Sequence, residues 1–490
     1  MNAEPLSYGA RIRRLAEERD GEVAVVFVAE DGSERDVTWT ELDQRSTQLA
    51  RALMARGLGV GDRLGIKLRN SPEHYVADFA GWKAGAVVIP IRWDLPDWEL
   101  ERVRATAAPK MILGPDDTDL IQGSRSESTD PLPDVIAPHN SGILSSGSTG
   151  SPKVILRTSP AVWQPGASAN ALVEAYGPIT RPQLVLVPAP LYHTNGFMTT
   201  SHLLGGDRLV LLERFNAGRV LDAIEQHRIT GFIATTIMLQ RIAREPDINE
   251  RDLSSIEWVM HGAAPLPEWL ARQWIDLVGP EHFFVCYGSS EGAGATFARG
   301  DEYLAHPGTI GRGSIGTELR ILDPIGEPLP AGEIGAIYMR SAYGLMASYV
   351  GDVPPLPVTE DGFATVGDLG WLDDDGYLHL ADRRVDMIIS GGANVYPAEV
   401  ESALSEHPGV SDVVVIGLAD PEWGRRVHAI VQPADPASPV GADELIAWAK
   451  ARLSPYKVPK TIEFVDAIPR SEATKVNRAT LIAAREPAGG

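Results

Sequence analysis

Cysteine is almost absent from this sequence. Cys286 is the single cysteine among 490 residues, so no disulfide can form within the chain. The first 30 residues carry charges throughout and lack the apolar stretch of a secretory signal peptide. Both absences favour a reducing compartment, and we expect a cytoplasmic protein.

Long apolar runs are also missing. One of the longest, Leu184 to Leu191, is interrupted by two prolines. A helix that spans a bilayer needs about 20 predominantly apolar residues. The sequence therefore predicts no membrane span.

Positive charge is scarce. The chain has 44 Lys and Arg residues against 66 Asp and Glu residues, which gives a formal net charge of −22. Such a chain repels phosphate backbones and anionic lipid at long range, and nucleic acid is therefore not expected as a partner. An anionic substrate such as ATP would need cations and backbone donors concentrated at one place.

The remaining composition is that of a globular protein with several folding units. Apolar residues make up 44% and charged residues 22%, which are ordinary proportions. At about 100–200 residues per domain, the length suggests two to four units. Helical periodicity at Thr40–Met54 and Pro72–Ala84 alternates with strand-like runs. These runs are Ala86–Ile91, Leu184–Val187, Arg208–Leu212, Gly231–Ala234 and Ile256–Met260. The alternation predicts an α/β fold with layered sheets.

Two segments depart from this pattern. Gly114–Asn140 is rich in Asp, Ser and Pro, which predicts an exposed loop. After Asp382 the alternation restarts as a compact α+β unit, with a strand near Val385–Ile389 and a helix from about Pro397 to His407. We therefore predict a large N-terminal domain at 1–382 and a small C-terminal domain at 383–490.

The segment ILSSGSTGSPKVIL, Ile143–Leu156, joins two apolar strands through small and hydroxyl residues and a lysine. Glycine allows the backbone to approach an anion closely, hydroxyls and amides donate hydrogen bonds, and lysine adds positive charge. The residues concerned are Ser145, Ser146, Gly147, Ser148, Thr149, Gly150 and Lys153. They predict a loop that binds polyphosphate, with a flexible Gly/Ser turn as the alternative.

The order of these residues excludes the common kinase and GTPase loop. The motif G-x-x-x-x-G-K-[ST] does not fit, because Gly150 is followed by Ser-Pro-Lys and then Val154. The segment instead resembles the phosphate loop of the adenylate-forming superfamily, which includes acyl-CoA synthetases, luciferases and adenylation domains of peptide synthetases. Several ordered motifs extend the resemblance from about Val37 to Arg478. It implies acyl-adenylate chemistry with ATP, Mg²⁺ and coenzyme A, and a mobile C-terminal domain.

The segment YGSSEGAG, Tyr287–Gly294, resembles the adenylate-binding motif of this superfamily. The resemblance implies that Tyr287 stacks on adenine, with Gly288 beside it. It also implies that Ser290 contacts phosphate and that Glu291 holds magnesium. Without this context, such a glutamate would be a helix cap or a solvated charge.

Two further segments resemble the nucleoside-binding parts of the superfamily. HGAAPL, His261–Leu266, is similar to the turn that forms one wall of the adenine site. Its small residues would leave room for a flat base; they are Gly262, Ala263 and Ala264. In Val366–Arg384, the resemblance implies that Asp368 accepts hydrogen bonds from the ribose and that Arg383 assists.

The segment PRSEATKVNR, Pro469–Arg478, resembles the motif that carries the catalytic lysine, here Lys475. Attack of a carboxylate on the α-phosphate joins two anions, so a cation between them stabilises the transition state. A solvated surface lysine is the alternative. Thr474 stands where the superfamily usually has glycine, and Val385 stands where its domain hinge usually has Asp or Lys. Both departures fall on parts that the resemblance implies must move. A branched side chain is conformationally stiff, so each would restrict that movement.

The segment Ile388–Glu401 resembles the part of the small domain that lines the pantetheine channel in thioester-forming members. Gly391 and Gly392 would let a thin arm pass, although a glycine pair before a helix also serves as a simple loop.

The segment PLYHTNGFMTTSH, Pro190–His202, is the expected rim of the acid pocket. It has no acidic residue that could bind an amino group, so a plain carboxylic acid is favoured. His193 either contacts the adenylate and gates the pocket, or is a packed structural histidine. Similar segments occur in ligases for fatty, aromatic and steroid-like acids, and we expect an apolar substrate.

These patterns predict an acid–CoA ligase that works through an acyl-AMP intermediate. An alternative keeps the fold but catalyses one half-reaction, with a partner enzyme that supplies or receives the acyl adenylate. A third interpretation is a non-catalytic protein that binds an adenylate. Retention of Lys475 and Glu291 disfavours the third interpretation.

Overall fold

The computed structural model of the protein describes residues 4–144, 153–314, 316–351, 353–383, 386–472 and 474–486. Within these residues the architecture is mixed α/β, with a large N-terminal domain followed by a smaller C-terminal domain. The predicted fold class is confirmed. Among the described residues, no helix has the length and apolar character that crossing a membrane requires.

The helices begin with ordinary capping chemistry. The side chains of Ser7, Thr38 and Asn216 each accept a hydrogen bond from the first turn of the helix that follows. In chain order the α-helices are α1 Tyr8–Glu18, α2 Trp39–Ala55, α3 Pro72–Lys83, α4 Asp97–Ala107, α5 Thr118–Gly123, α6 Ala171–Glu174, α7 Thr194–Phe197, α8 Thr200–Gly205, α9 Ala217–His227, α10 Thr236–Ala243, α11 Glu268–Val278, α12 Gly300–Ala305, α13 Pro397–Ser405, α14 Ala442–Lys450 and α15 Arg478–Ala483. Short 3₁₀ turns occupy Pro115–Asp117, Ser124–Ser126 and Ile248–Glu250.

The strands are mostly short and apolar. In chain order they are β1 Leu6–Ser7, β2 Val23–Val28, β3 Glu34–Thr38, β4 Arg63–Ile66, β5 Val87–Pro90, β6 Met111–Leu113, β7 Gly142–Leu144, β8 Val154–Arg157, β9 Val162–Trp163, β10 Leu184–Val187, β11 Arg208–Leu212, β12 Gly231–Ala234, β13 Trp258–His261, β14 Phe283–Gly288, β15 Ala295–Arg299, β16 Arg312–Ser314, β17 Thr317–Leu322, β18 Gly335–Ser341, β19 Ala347–Tyr349, β20 Asp368–Leu372, β21 Leu378–Arg383, β22 Ile388–Ser390, β23 Ala393–Val395, β24 Val410–Asp420, β25 Gly424–Pro433 and β26 Thr461–Phe464.

The main sheet of the large domain has the order β16-β15-β14-β13-β12-β10-β11-β2-β3. Its central strands, from β14 to β2, run parallel, and antiparallel strands close both edges. A parallel sheet is covered on both faces, so its strands read as continuous apolar runs. Leu184–Val187 and Arg208–Leu212 show this, and both were predicted with the bounds that the structure has.

Smaller sheets surround the main one. In the large domain, β19-β8-β7 and β5-β4-β6 are linked by a bridge between Val88 and Ser141, and β17-β18-β20-β21 forms a separate antiparallel sheet. In the small domain, β23-β22-β25-β24 with β26 beside β25 packs against α13 and α14. The predicted α+β character of this domain is therefore confirmed, although its predicted boundary at 382/383 is not tested.

The prediction of a loop over Gly114–Asn140 was partly wrong. The segment contains helix α5, which buries Ile121 in the core of the large domain. Gln48 and Arg51 of α2 hold the following residues by donating hydrogen bonds to their carbonyl groups. The polar composition concealed this helix, which packs on the core through few apolar side chains.

Candidate active site

The carboxyl ends of β10, β12, β13 and β14 meet at one edge of the main sheet, because these strands are parallel neighbours. The segments that leave this edge include Pro190–His193, Thr235 and Gly262–Ala264, and Tyr287 lies near the end of β14. In open α/β sheets this edge is the usual place for ligands. Three of the predicted motif segments therefore converge at one place, together with Thr235, which no motif included.

Tyr287 and Asp368 are in direct contact. The Tyr287 hydroxyl donates to Asp368 Oδ2 over 2.7 Å. Asp368 is buried at the start of β20, where its backbone pairs with that of Arg383. The residues assigned to adenine and to ribose are thus adjacent, as the two halves of one nucleoside require. Their roles stay predictions, and the Arg383 side chain lies outside the described part.

The predicted adenine wall is a turn of small residues. Gly262, Ala263 and Ala264 follow β13, and Ala263 has a φ of 80°. A Cβ atom at Gly262 would lie 3.6 Å from the Cys286 carbonyl oxygen, on the strand that carries Tyr287. The turn therefore lies close to the predicted adenine-stacking residue.

The predicted phosphate loop falls largely outside the described residues. This applies to Ser145, Ser146, Gly147, Ser148, Thr149 and Gly150. Lys153 is described, and its Nζ atom lies 5.1 Å from the centroid of the Tyr349 ring. The Tyr349 hydroxyl donates to Glu291 Oε1 over 2.9 Å. One tyrosine therefore joins the lysine of the phosphate motif to the carboxylate of the adenylate motif.

Tyr349 was not identified from the sequence. Burial, together with the negative charge and hydrogen bond of Glu291, raises the pKa of Tyr349 above its usual range. The phenol therefore stays protonated and donates to the carboxylate. No local signal marked Tyr349, since it reaches the site only through the pairing of β19 with β8.

Arg157 is a second residue that the sequence analysis missed. It ends β8, and burial lowers its pKa, while the negative charge of Glu291 opposes that shift. Arg157 therefore adds a partly desolvated cation near the predicted magnesium ligand. Arg157 lies four residues after Lys153 in an extended segment. Alternate residues of a strand share a face, so this spacing could have identified Arg157 from the sequence.

The adenylate motif also touches the acid-side segment. The Ser290 and Thr194 hydroxyls are 3.1 Å apart. A Cβ atom at Gly288 would lie 3.3 Å from the Gly294 carbonyl oxygen, so glycine permits the tight turn that brings Ser290 there. The predicted phosphate contact and the predicted acid pocket are thus neighbours.

Lys475 of the small domain lies close enough to His193 of the large domain for its charge to act on the imidazole. Desolvation, followed by the positive charge of Lys475, lowers the pKa of His193 to about 3. His193 is therefore neutral at pH 7, and the ammonium is the charged partner of the pair. The predicted catalytic lysine therefore lies near a residue of the predicted rim of the acid pocket.

Other contacts hold the small domain in this orientation. The Trp93 indole nitrogen donates to Glu472 Oε2 over 2.9 Å. Arg244, directly after α10, donates to the carbonyl oxygens of Val410 and Ser405, at 2.6 and 2.9 Å. Lys475 therefore reaches the site as part of an extended domain contact.

Gly391 and Gly392 form the turn between β22 and β23. Their φ angles are 57° and 80°, which favour glycine. A Cβ atom at Gly391 would lie 2.8 Å from the Trp423 ring. The turn and this packing explain the glycine pair within the small domain, and its role toward pantetheine stays a prediction. The predicted hinge residue Val385 lies outside the described residues.

The acid-side helix α7 is backed by aromatic side chains. Phe197 lies 6.3 Å from Trp82 between ring centroids, and Trp82 packs edge-on against Phe79 and Tyr8 at 5.3 and 4.9 Å. Such rings favour flat apolar groups. The absence of acidic residues from Pro190–His202 is consistent with that environment.

A magnesium ion fits the chemistry around Glu291. Among the described residues, no group of three or more His, Cys, Asp or Glu side chains could hold a metal ion. Magnesium that accompanies a nucleotide is commonly bound by one or two carboxylates plus phosphate oxygens. Glu291, close to Lys153 through Tyr349, can supply such a carboxylate.

We expect Cys286 to react slowly with alkylating reagents. Burial raises its pKa from 9 to about 11, so at pH 8 the thiolate is about 100-fold scarcer than in an ordinary thiol. Iodoacetamide labelling, followed by mass spectrometry, should be about 100-fold slower in the native protein than in urea. Equal rates in both states would contradict a raised pKa for this half-buried thiol.

Comparison with known proteins gives consistent relatives across the chain. A family model described as AMP-binding enzyme matches residues 12–141 and 142–350, and one described as AMP-binding enzyme C-terminal domain matches 399–475. A feruloyl-CoA synthase from an Amycolatopsis species is 36% identical, over 90% of this chain and 92% of that protein. An indoleacetate–CoA ligase from Aromatoleum aromaticum is 30% identical, over 95% and 96%.

Solved structures agree with these relatives. The o-succinylbenzoate CoA synthetase from Bacillus subtilis, in complex with its acyl-adenylate intermediate, matches with a TM-score of 0.80 at 26% identity, and 98% of each chain is covered. The same synthetase in complex with ATP and magnesium ion matches with a TM-score of 0.79 at 26% identity, over 98% of this chain and 100% of that one.

Proposed function

We propose that this chain, which belongs to the AMP-binding enzyme family, activates an aromatic carboxylic acid and catalyses both half-reactions. The chain is an ATP-dependent acid–CoA ligase, and it uses ATP, Mg²⁺ and coenzyme A. In the first half-reaction the carboxylate attacks the α-phosphate, an acyl–phosphate bond forms and pyrophosphate leaves. In the second, the thiolate of coenzyme A attacks the acyl carbon and AMP leaves.

The docking of the small domain at this sheet edge, where the Thr474 hydroxyl bonds the Thr235 hydroxyl over 2.9 Å, carries the adenylation step, because it brings the charge of Lys475 near His193. In this orientation the lysine lies at the same sheet edge as Tyr287, the predicted adenine-stacking residue. An ammonium there would offset the repulsion between the carboxylate and the phosphate as they join. Neutral His193 adds no competing charge beside it.

The polar residues around Glu291 suit the metal and the phosphates. A bound magnesium ion supplies charge neutralisation on the phosphate oxygens. Glu291 would hold it, and the Tyr349 hydroxyl fixes the orientation of that carboxylate. Lys153, just before β8, and Arg157, at its end, would face the phosphates, because both lie near Tyr349 or Glu291.

The aromatic backing of α7 supports the choice of acid. Phe197 lies one helical turn after His193 and packs on the rings behind it, and this ring would offer the acid a flat apolar wall. Relatives named for ferulate and indoleacetate, both aromatic acids, match more than nine-tenths of their own length to this chain. An aryl group therefore suits this pocket better than a flexible alkyl chain.

A single half-reaction remains a second candidate, because Thr474 has a φ of 61° where its relatives usually have glycine. A branched residue in that conformation could restrict how the lysine is presented. The non-catalytic interpretation finds no such support, because the sequence has both Lys475 and Glu291.

A panel of acids tests the proposal. We expect aryl acids of the cinnamic and arylacetic classes to be used with kcat/KM values about tenfold above those of straight-chain fatty acids, as expected for a shaped apolar pocket. Thioester formation from the free acid measures the whole reaction, and thioester formation from a synthetic acyl adenylate measures the second half alone. Activity in the second assay only would support the single half-reaction instead.

A matched pair of variants connects this preference to the structure. Phe197→Ala should lower kcat/KM for aryl acids about tenfold. Phe464→Ala, which changes an exposed phenylalanine of the small domain, serves as the control and should leave it unchanged. A clear preference for fatty acids, or an equal effect of both variants, would rule out an aromatic acid pocket here.

A further inference from the structure

Thr474, directly before Lys475, has an unfavourable backbone conformation. Its φ is 61°, in the left-handed region, where a branched side chain is strained. The conformation belongs to a tight turn, since the Thr474 amide donates to the Ser471 carbonyl oxygen over 2.8 Å. The Ser471 amide then donates to the Lys475 carbonyl oxygen over 2.9 Å. The backbone at Lys475 is therefore set by this turn.

Part of the turn is fixed within the small domain. Arg470 donates through Nη1 to the Thr474 carbonyl oxygen over 3.0 Å. Its guanidinium also binds both carboxylate oxygens of Asp412, at 2.7 and 2.9 Å. This bidentate pair holds Arg470 in place, so the carbonyl side of Thr474 is anchored whatever the orientation of the domain.

The side chain of Thr474 makes its contact in the other domain. Its hydroxyl donates to the Thr235 hydroxyl over 2.9 Å. Thr235 is buried, precedes α10 and caps its first turn, so its oxygen is held rigidly at the edge of the main sheet. The branched Thr474 side chain has few rotamers, so the hydrogen bond also restrains the turn.

We propose that Thr474 is a positioning residue, which presents Lys475 to the acid and the α-phosphate only while its hydroxyl bonds Thr235 across the docked domains. This inference rests on the proposed role of Lys475 in adenylation. The strained turn gains its compensating contact in the docked orientation and loses it when the domains separate. Presentation of the lysine is thereby coupled to domain docking.

The coupling has opposite consequences for the two half-reactions. Adenylation needs Lys475 beside His193, so it benefits from the hydroxyl pair. Thioester formation from a preformed adenylate does not need the attack that Lys475 assists, and release of the small domain involves breaking the same hydrogen bond. A merely structural role would lower both rates together.

Substitutions of similar shape separate the hydroxyl from the side-chain volume. Thr474→Val keeps the branch and removes the hydrogen bond, and we expect the kcat of ATP–pyrophosphate exchange to fall about fivefold, with KM for ATP unchanged. Thioester formation from synthetic acyl adenylate should be unchanged or faster. Thr474→Ser keeps the hydroxyl and should restore the exchange rate. Thr480→Val changes an exposed threonine nearby and is the control.

A double-mutant cycle tests the contact itself. If the two hydroxyls act through each other, Thr474→Val should cost little more exchange activity in a Thr235→Val background. Thr235→Val also removes a helix cap, so melting temperatures must confirm that the variants are folded. Full additivity, or an equal fall of both half-reactions in Thr474→Val, would overturn the proposal.

Lys475→Ala separates this proposal from the function on which it rests. If it abolishes exchange and Thr474→Val leaves exchange unchanged, the ligase proposal stands and the positioning role fails. If it leaves exchange intact, the role of Lys475 in adenylation is wrong and the inference about Thr474 falls with it.

Discussion

Replacing Lys475 with alanine will lower ATP–pyrophosphate exchange by about 10²–10³-fold, the usual cost of losing one preorganised group that stabilises transition-state charge. The carboxylate and the α-phosphate are both anionic, and neutral His193 cannot replace the lost ammonium. Thioester formation from a synthetic acyl adenylate should be retained, because that step joins no carboxylate to a phosphate. The two assays, run on the same preparation, measure this split.

Two control variants test whether the effect of Lys475→Ala is specific to this lysine and to its charge. Lys457→Ala removes a lysine of the same domain that pairs with Glu399, and it should leave exchange unchanged. Lys475→Arg keeps the charge but changes its shape, so it should recover part of the exchange rate. Equal losses in both half-reactions of Lys475→Ala would indicate misfolding or a general binding role, and would contradict the assignment.

Replacing Glu291 with glutamine will lower kcat/KM for magnesium ATP by about 100-fold, because a charged ligand of the metal becomes neutral. The amide keeps an oxygen that can accept from the Tyr349 hydroxyl, so the packing is preserved and the charge is lost. Exchange rates measured over a range of magnesium concentrations should show a higher requirement for the metal.

Tyr349→Phe is the matched control for this charge effect. It removes the hydroxyl that orients Glu291 and leaves the carboxylate in place, so the loss should be only about fivefold. A glutamine variant with an unchanged magnesium requirement would show that Glu291 is not the metal ligand. A phenylalanine variant as impaired as the glutamine variant would assign the effect to the hydroxyl.

The secondary structure could be predicted best where the pattern depends on near neighbours. Leu184–Val187, Arg208–Leu212 and Gly231–Ala234 have the predicted bounds, since buried parallel strands read as short apolar runs. Helix α2 was predicted to within one residue at each end. Gly114–Asn140 failed in part, because α5 is mostly polar and packs through Ile121 on a core whose residues are distant in the chain.

The candidate site was predictable where a motif is continuous in the chain. Tyr287, Glu291 and Lys475 were selected by local context. The structure places Tyr287 and Lys475 near other predicted residues, whereas Glu291 bonds Tyr349. Tyr349 and Arg157 were missed because neither belongs to a contiguous motif. For Gly391, the positive φ and the Trp423 ring supply a structural reason that the sequence could not distinguish from a channel role.

By itself, the sequence determined the α/β class, the small α+β domain and the kinds of side chain available for adenylate chemistry. These properties follow from periodicity and from motifs, which depend on residues close together in the chain. Only the tertiary structure decided which of these residues meet. Tyr287 reaches Asp368 across 81 positions and Thr474 reaches Thr235 across 239. Such contacts depend on strand order and domain docking, which are set by the packing of many distant side chains at once.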